Sequence, residues 1–342
     1  MKGISLIIIT VFVIRGSGIG QNYNIGELTL NLTDSTRNRP IKTELWYPAQ
    51  DTGSTNLRIT ELPFILEPTI RDARFMNQRV PLIVLSHGTG GNRFSLAWLA
   101  ISLVKHGYIV AAPDHWGNTF DNRIPEYFVR YWERPLDISF IINQILKDEN
   151  YSRYIDNSKI GAVGFSFGGY ATIALAGAVI NCNLLKGNAR TKEGKKEFNI
   201  PELGDLRKLI DKLSCDGSKG INLKDNRITA FVALAPALGL GFASNEQTKN
   251  IQSPLLIIGN EHDQIAPVIS NARNYNSIIE SSKYIELKGK IGHYIFLNEA
   301  NKDLKKEAGK YYADDKGVNR KLIHLYVGNL IIEFFDSNLK NY

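Results

Sequence analysis

Short apolar runs recur along the chain at 82–85, 108–112, 160–163, 228–234 and 255–258. Runs of this kind, bounded by polar or Gly-containing segments, are the pattern of strands covered on both faces, as in a parallel sheet. Between them, residues 96–106, 135–146, 169–179 and 270–281 carry helical spacing, and 322–339 reads as an amphipathic C-terminal helix. Ahead of this region the pattern alternates instead, with Leu28, Leu30 and Leu32 followed by Ile41, Thr43, Leu45 and Tyr47, which predicts two antiparallel strands opening the sheet. Residues 51–79 are polar and irregular and read as a surface loop or hairpin. The repeated strand–helix rhythm predicts an α/β fold with a doubly wound, mostly parallel sheet.

One segment breaks the rhythm. Residues 181–227 are polar, charged and Gly-containing, with Pro201 and a helical piece around 206–213. They read as an insertion covering the C-terminal edge of the sheet, a lid rather than a second domain. The chain of 342 residues, 43% of them hydrophobic, can bury a large core. Its formal charge of +7 is spread among nearly as many acids. The Lys-rich stretch 186–224 is interrupted by Glu193, Glu197, Glu202, Asp205 and Asp211, so the charge reads as a solvated face, not a nucleic-acid footprint.

The N-terminus carries Lys2, an apolar run over 4–14, and small residues at Gly16, Ser17, Gly18 and Gly20. This is a secretory signal pattern, so residues 1–20 are expected as a signal peptide, 21–342 as the mature domain, and the protein as exported. The run is about 11 residues, short of the roughly 20 of a spanning helix, so no stable membrane span is expected. Arg15, directly after the run, leaves open an interfacial anchor or a buried first strand. Only Cys182 and Cys215 are present, both in the insertion. In an oxidising compartment they could pair; two buried thiols are the alternative. With two Cys and scattered His there is no zinc spacing, and no metal site is expected.

Gly164-Phe165-Ser166-Phe167-Gly168 follows the apolar run 160–163 and precedes an Ala-rich helical segment. That is the GxSxG nucleophile elbow in its proper setting: a sharp strand-to-helix turn whose glycines leave room for the neighbouring strand and helix. Ser86-His87-Gly88-Thr89-Gly90-Gly91 ends the run 82–85. It can supply a backbone donor to an oxyanion hole, assigned to Thr89, alongside the amide of Phe167. A phosphate cradle is disfavoured because the P-loop Lys-Ser/Thr ending is missing.

Acid and base follow the nucleophile in the order Ser, Asp, His. The run 255–258 ends in Gly259-Asn260-Glu261-His262-Asp263, making Asp263 the expected acid with Glu261 as competitor; a helix N-cap is the bland role for Asp263. His87, His106 and His115 precede Ser166, His262 adjoins the acid, and His324 lies in the last helix. His293, in a loop that Gly292 allows to turn sharply, is therefore the expected base. Asp114-His115-Trp116-Gly117-Asn118 follows another strand of the same edge, which makes His115 and Trp116 candidates to line the substrate pocket, against a structural turn with a packed Trp.

LWYP at 45–48, SHGTGG at 86–91, APDHWGN at 112–118, RPLD at 134–137, GFSFGG at 164–169 and GHYIF at 292–296 together resemble the dienelactone-hydrolase-like branch of the α/β-hydrolases and the relatives of platelet-activating-factor acetylhydrolase. The resemblance covers most of the chain from about residue 28. It implies a serine esterase that forms an acyl-enzyme from a small acyl ester with no cofactor. The chain departs from the resemblance twice. Dienelactone hydrolases carry Cys where this sequence has Ser166, and the loop 235–241, where the acetylhydrolases place their acid, holds no carboxylate.

Overall fold

A computed structural model describes residues 23–51, 57–58, 62–218 and 220–340. The expected signal peptide over 1–20 lies outside them. In chain order the strands are β1 (Asn24–Asp34), β2 (Arg39–Ala49), β3 (Leu57–Arg58), β4 (Thr69–Arg71), β5 (Val80–Ser86), β6 (Ile109–Pro113), β7 (Ile155–Phe165), β8 (Asn199–Ile200), β9 (Gly204–Asp205), β10 (Ile228–Leu234), β11 (Leu255–Asn260) and β12 (Ser282–Leu287). All but the β8–β9 hairpin join one sheet, in the order β12-β11-β10-β7-β5-β6-β2-β1-β4-β3. From β6 to β12 the pairing is parallel. The alternating β1–β2 pair is antiparallel and joins the sheet through β2 against β6. Residues 51–79 include the antiparallel β3–β4 pair, and β4 extends the sheet by running parallel to β1.

Parallel strands need covered faces, and side-chain alternation supplies two cores. Along β5, Leu82 and Val84 enter one core and Ile83 and Leu85 the other; along β10, Phe231 and Ala233 oppose Ala230, Val232 and Leu234. The helices Glu133–Lys147 and Phe167–Ala176 pack Ile138, Ile141, Tyr170 and Ile173 into the first core. The helices Ala97–Lys105 and Arg320–Leu339 pack Leu99, Leu103, Val327 and Phe335 into the second. The helix expected over 270–281 is shorter, Ala272–Ile278. The last helix is apolar on more than its packed side, leaving Leu322, Leu325 and Tyr326 exposed.

The stretch expected as a lid contains the helices Cys182–Ala189, Lys192–Glu197 and Arg207–Lys212 and the β8–β9 hairpin. Cys182 and Cys215 are joined in a disulfide across it, with Cα atoms 5.6 Å apart. Cross-linking positions 33 residues apart removes loop entropy from the unfolded chain, an effect of about 3 to 4 kcal/mol. A Cys182→Ser/Cys215→Ser double variant is expected to lose about that much unfolding free energy. Urea titration of both proteins measures it, and an unchanged midpoint would place the cross-link outside the cooperative unit.

Candidate active site

Ser166 sits between β7 and the helix that follows it with φ 55° and ψ −117°, a conformation that L residues rarely adopt and that typically costs about 1–3 kcal/mol. The neighbouring glycines explain how the turn closes. A Cβ at Gly164 would lie 1.9 Å from the Gly168 carbonyl oxygen, and one at Gly168 would lie 2.1 Å from the Ser86 carbonyl oxygen. The elbow is also tied to β10, since the Ser166 amide donates to the Leu234 carbonyl at 2.9 Å.

β11 and β12 bring the other two expected residues to the same edge. His293 Nδ1 lies 2.6 Å from Asp263 Oδ2, and His293 Nε2 lies 2.9 Å from Ser166 Oγ. An ionised carboxylate only accepts, so Nδ1 carries the proton and Nε2 is left to accept from the serine hydroxyl. All three side chains are buried. The other Asp263 oxygen accepts from the amides of Ile265 and Ala266, so the carboxylate caps a turn and orients the imidazole at once. Asn260 Nδ2 ties the His293 loop to β11 by donating to the Gly292 carbonyl. Glu261 points elsewhere: it is exposed, accepts from the Gly289 amide and pairs with Lys288. His262 is exposed, while His324 stacks on Trp98 with ring centroids 4.0 Å apart.

Thr89 and Phe167 both border a narrow slot above Ser166. Phe167 opens its helix, so its N–H has no acceptor within that helix. In the loop before it, Gly90 donates to Asn118 Oδ1 and Gly91 to the Gly88 carbonyl. The walls come from Phe128, Phe165, Phe198, Ile200, Leu206 and Tyr294, and two carboxylates, Glu197 and Glu202, face the same space. Among the described residues no Lys or Arg lines it. Burial pushes Glu197 up to about 7, although its oxygens accept from the Leu238 amide and Asn271 Nδ2. Burial raises Glu202 as well.

The expectation that His115 and Trp116 line this space is corrected. His115 is fully buried behind the Ser86–Gly91 loop, held by Ser86 Oγ at Nε2 and by Asp137 at Nδ1, each at 2.9 Å. Trp116 turns toward Tyr127 and the Arg39 guanidinium instead. Their positions at a strand end are as read; the Ser86 and Asp137 hydrogen bonds hold His115, and packing on Tyr127 holds Trp116, away from the slot.

Comparison with known proteins agrees with this architecture. Residues 72–189, which include the loop after β5 and the elbow, match the Dienelactone hydrolase family. The match is confined to that segment, and the fold is that of the α/β-hydrolases. Over 62% of its length the chain is 25% identical to a pyrrolizixenacetamide deacetylase from Xenorhabdus hominickii, covering 85% of that protein. It is 26% identical to cutinase 2 of Thermobifida cellulosilytica and cutinase cut1 of Thermobifida fusca, spanning only 60% and 50% of their lengths. A ferulic acid esterase from Streptomyces cinnamoneus superposes with a TM-score of 0.61 over 95% of this chain and 92% of its own, at 17% identity, a likeness of fold.

Behind the slot the protein carries a polar network that sequence reading did not assemble. Asp137 accepts from Arg39 through Nε and Nη2, at 2.8 and 2.7 Å, and from His115. Burial alone would raise Asp137, but the His115 and Arg39 hydrogen bonds outweigh it and hold it near about 2. His115 is pushed down to about 4, chiefly by burial and then by the Arg134 charge. The signal available was RPLD, which puts a buried Arg and a buried Asp one helical turn apart.

The sign of the His115 effect follows from linkage. Its folded pKa lies below the ordinary value of 6.5, so between about pH 6.5 and 4 the unfolded chain binds more protons and stability falls on acidification. Glu197 acts oppositely, because its folded pKa is raised and its contribution is lost as pH climbs through about 7. A His115→Asn variant isolates the first effect. Over that window the unfolding free energy of the wild type should rise with pH more steeply than that of the variant, by at most about 1.4 kcal/mol per unit. Urea titrations at pH 4.5, 5.5 and 6.5 test this, and parallel slopes would refute it.

Proposed function

We propose that this protein hydrolyses carboxylic esters through an acyl-enzyme, with Ser166 as nucleophile, His293 as general base and Asp263 as the group that holds the imidazole. The observation that carries the reading is the continuous chain from carboxylate to imidazole to hydroxyl at 2.6 and 2.9 Å, under a mostly apolar slot. In the proposed reaction Ser166 Oγ bonds to the ester carbonyl carbon while its proton passes to His293 Nε2. The carbonyl oxygen takes up negative charge against the amides of Thr89 and Phe167. Collapse expels the alcohol, which takes the proton from His293, and water releases the acid by the same steps.

The lining supports a class of substrate as well as a reaction. Aromatic and aliphatic walls favour a compact neutral acyl or alcohol group. Glu197 and Glu202 disfavour an anionic one, most strongly above about pH 7 where Glu197 ionises, and among the described residues no Lys or Arg of the lining offsets them. Amide hydrolysis by the same residues is the second reading, supported by the likeness to a deacetylase over most of that protein's length. We further infer that the protein is exported. The disulfide in the lid supports this, since such bonds persist in oxidising compartments.

Ser166→Ala is expected to abolish fluorophosphonate labelling and lower kcat by at least about 10⁴-fold while the far-UV spectrum stays native. A folded variant of undiminished activity would remove Ser166 from the chemistry. p-Nitrophenyl butyrate should be cleaved with a kcat/KM at least about 10-fold above p-nitrophenyl hemisuccinate. Equal rates would reject the charge argument, and matched p-nitroanilides measure the ester-to-amide preference.

A further inference from the structure

We propose that Arg134 is a positioning residue for the oxyanion hole, acting through the Gly88–Thr89 peptide. The inference rests on the serine-hydrolase reading above and concerns a residue outside the Ser166–His293–Asp263 chain. Arg134 lies in the first turn of the helix Glu133–Lys147 and is almost completely buried. Its hydrogen bonds go to backbone carbonyls, not to a carboxylate: Nη1 donates to His87 O, and Nη2 donates to Gly88 O at 3.1 Å.

The second of these carbonyls is the informative one. Gly88 C=O and Thr89 N–H belong to the same peptide unit, so a donor placed on the oxygen strengthens the amide at the other end as a donor. A charged donor does so more than a neutral one. His87 adds another, beside the Gly91 amide. Its Nε2 accepts from the His115 amide at 3.2 Å, so the proton resides on Nδ1, which donates to the same Gly88 carbonyl at 2.7 Å. Burial and the neighbouring Arg134 charge hold His87 neutral, consistent with that single tautomer.

The guanidinium also reaches the other half of the hole. Its Cζ stands 4.6 Å from the centroid of the Phe167 ring, so one planar group touches both the Gly88–Thr89 peptide and the residue assigned as the second donor. Keeping a cation there is unfavourable for folding: Arg134 Nε has no partner, and burying a guanidinium is costly unless it is fully satisfied. Asp137 faces it electrostatically, and Arg39 repels it. A residue retained at such cost against the loop that carries an oxyanion donor is accounted for by what it does to that loop.

The experiment compares wild type with Arg134→Gln and Arg134→Lys on p-nitrophenyl acetate. It also measures inhibition by a short-chain trifluoromethyl ketone and by the corresponding alcohol. The ketone accepts a bond from Ser166 Oγ and becomes an oxyanion, with the serine proton moving to His293; the alcohol forms no such charge. Arg134→Gln is expected to lower kcat about 10- to 100-fold, less than the roughly 10²–10³ for losing a donor outright, with KM changed by less than about 3-fold. Ketone affinity should fall by the same factor and alcohol affinity should hold. Arg134→Lys, which keeps charge but not the two-pronged geometry, should recover part of the loss.

Folded Arg134 variants with wild-type kcat, or with ketone and alcohol affinities weakened equally, would overturn the proposal. If Arg134→Gln does not fold, Arg134→Lys and His87→Gln each perturb one donor to the same carbonyl and carry the same comparison. Wild-type protein inert to both ester and fluorophosphonate would instead sink the hydrolase reading itself, an outcome distinct from active wild type with equally active variants.

Discussion

The geometry of the elbow between β7 and its helix constrains everything else at this edge of the sheet. A serine at φ 55° is unfavourable in isolation and persists because its surroundings over-determine it. Gly164 and Gly168 let helix and strand close to distances no Cβ would tolerate, and the Ser166 amide is held by β10. The same closeness fixes the loop after β5, because the oxygen that a Cβ at Gly168 would strike belongs to Ser86. Ser166 and the loop after β5 are therefore parts of one packing contact rather than two independently placed features.

How much of this was legible in the sequence depended on whether the signal was local. The elbow is written in five consecutive residues, and the strands of the parallel sheet show as apolar runs because both their faces are buried. Asp263 and His293 could be read by chain order and loop placement, since each follows a strand whose C-terminal end reaches the same edge. Side-chain direction after a tight turn could not. His115 and Trp116 lie at a strand end as expected, but the His115 ring goes behind the loop after β5 and the Trp116 ring packs on Tyr127. The slot lining was equally hidden, because Glu197, Phe198, Ile200, Glu202 and Leu206 come from the polar segment 181–227, whose pattern gives no face to predict.

Charge is distributed with a similar disregard for composition. The chain carries an excess of seven positive charges, yet the slot is lined by carboxylates without a cation. Two buried cations behind the site are turned inward, Arg39 on Asp137 and Arg134 on backbone carbonyls. Net charge thus describes the solvated surface, while the local field at the slot is set by a few buried groups whose low-dielectric surroundings make each count for more.

The molecule contains its own control for the argument from geometry. Ser86, His115 and Asp137 form a second chain of hydroxyl, imidazole and carboxylate, with both hydrogen bonds at 2.9 Å and the same proton placement on the ring. Distance alone cannot tell it from Ser166, His293 and Asp263. The difference lies in what surrounds each hydroxyl. Ser86 is the last residue of a strand, with no strained turn presenting it, and borders none of the slot, whereas Ser166 stands at the first turn of a helix, facing the slot and two candidate oxyanion amides. His115, pushed down to about 4, would also hold a proton poorly once it had taken one. A reactive serine on this reading requires access, a presenting turn and a place for developing negative charge, and only one of the two chains has them.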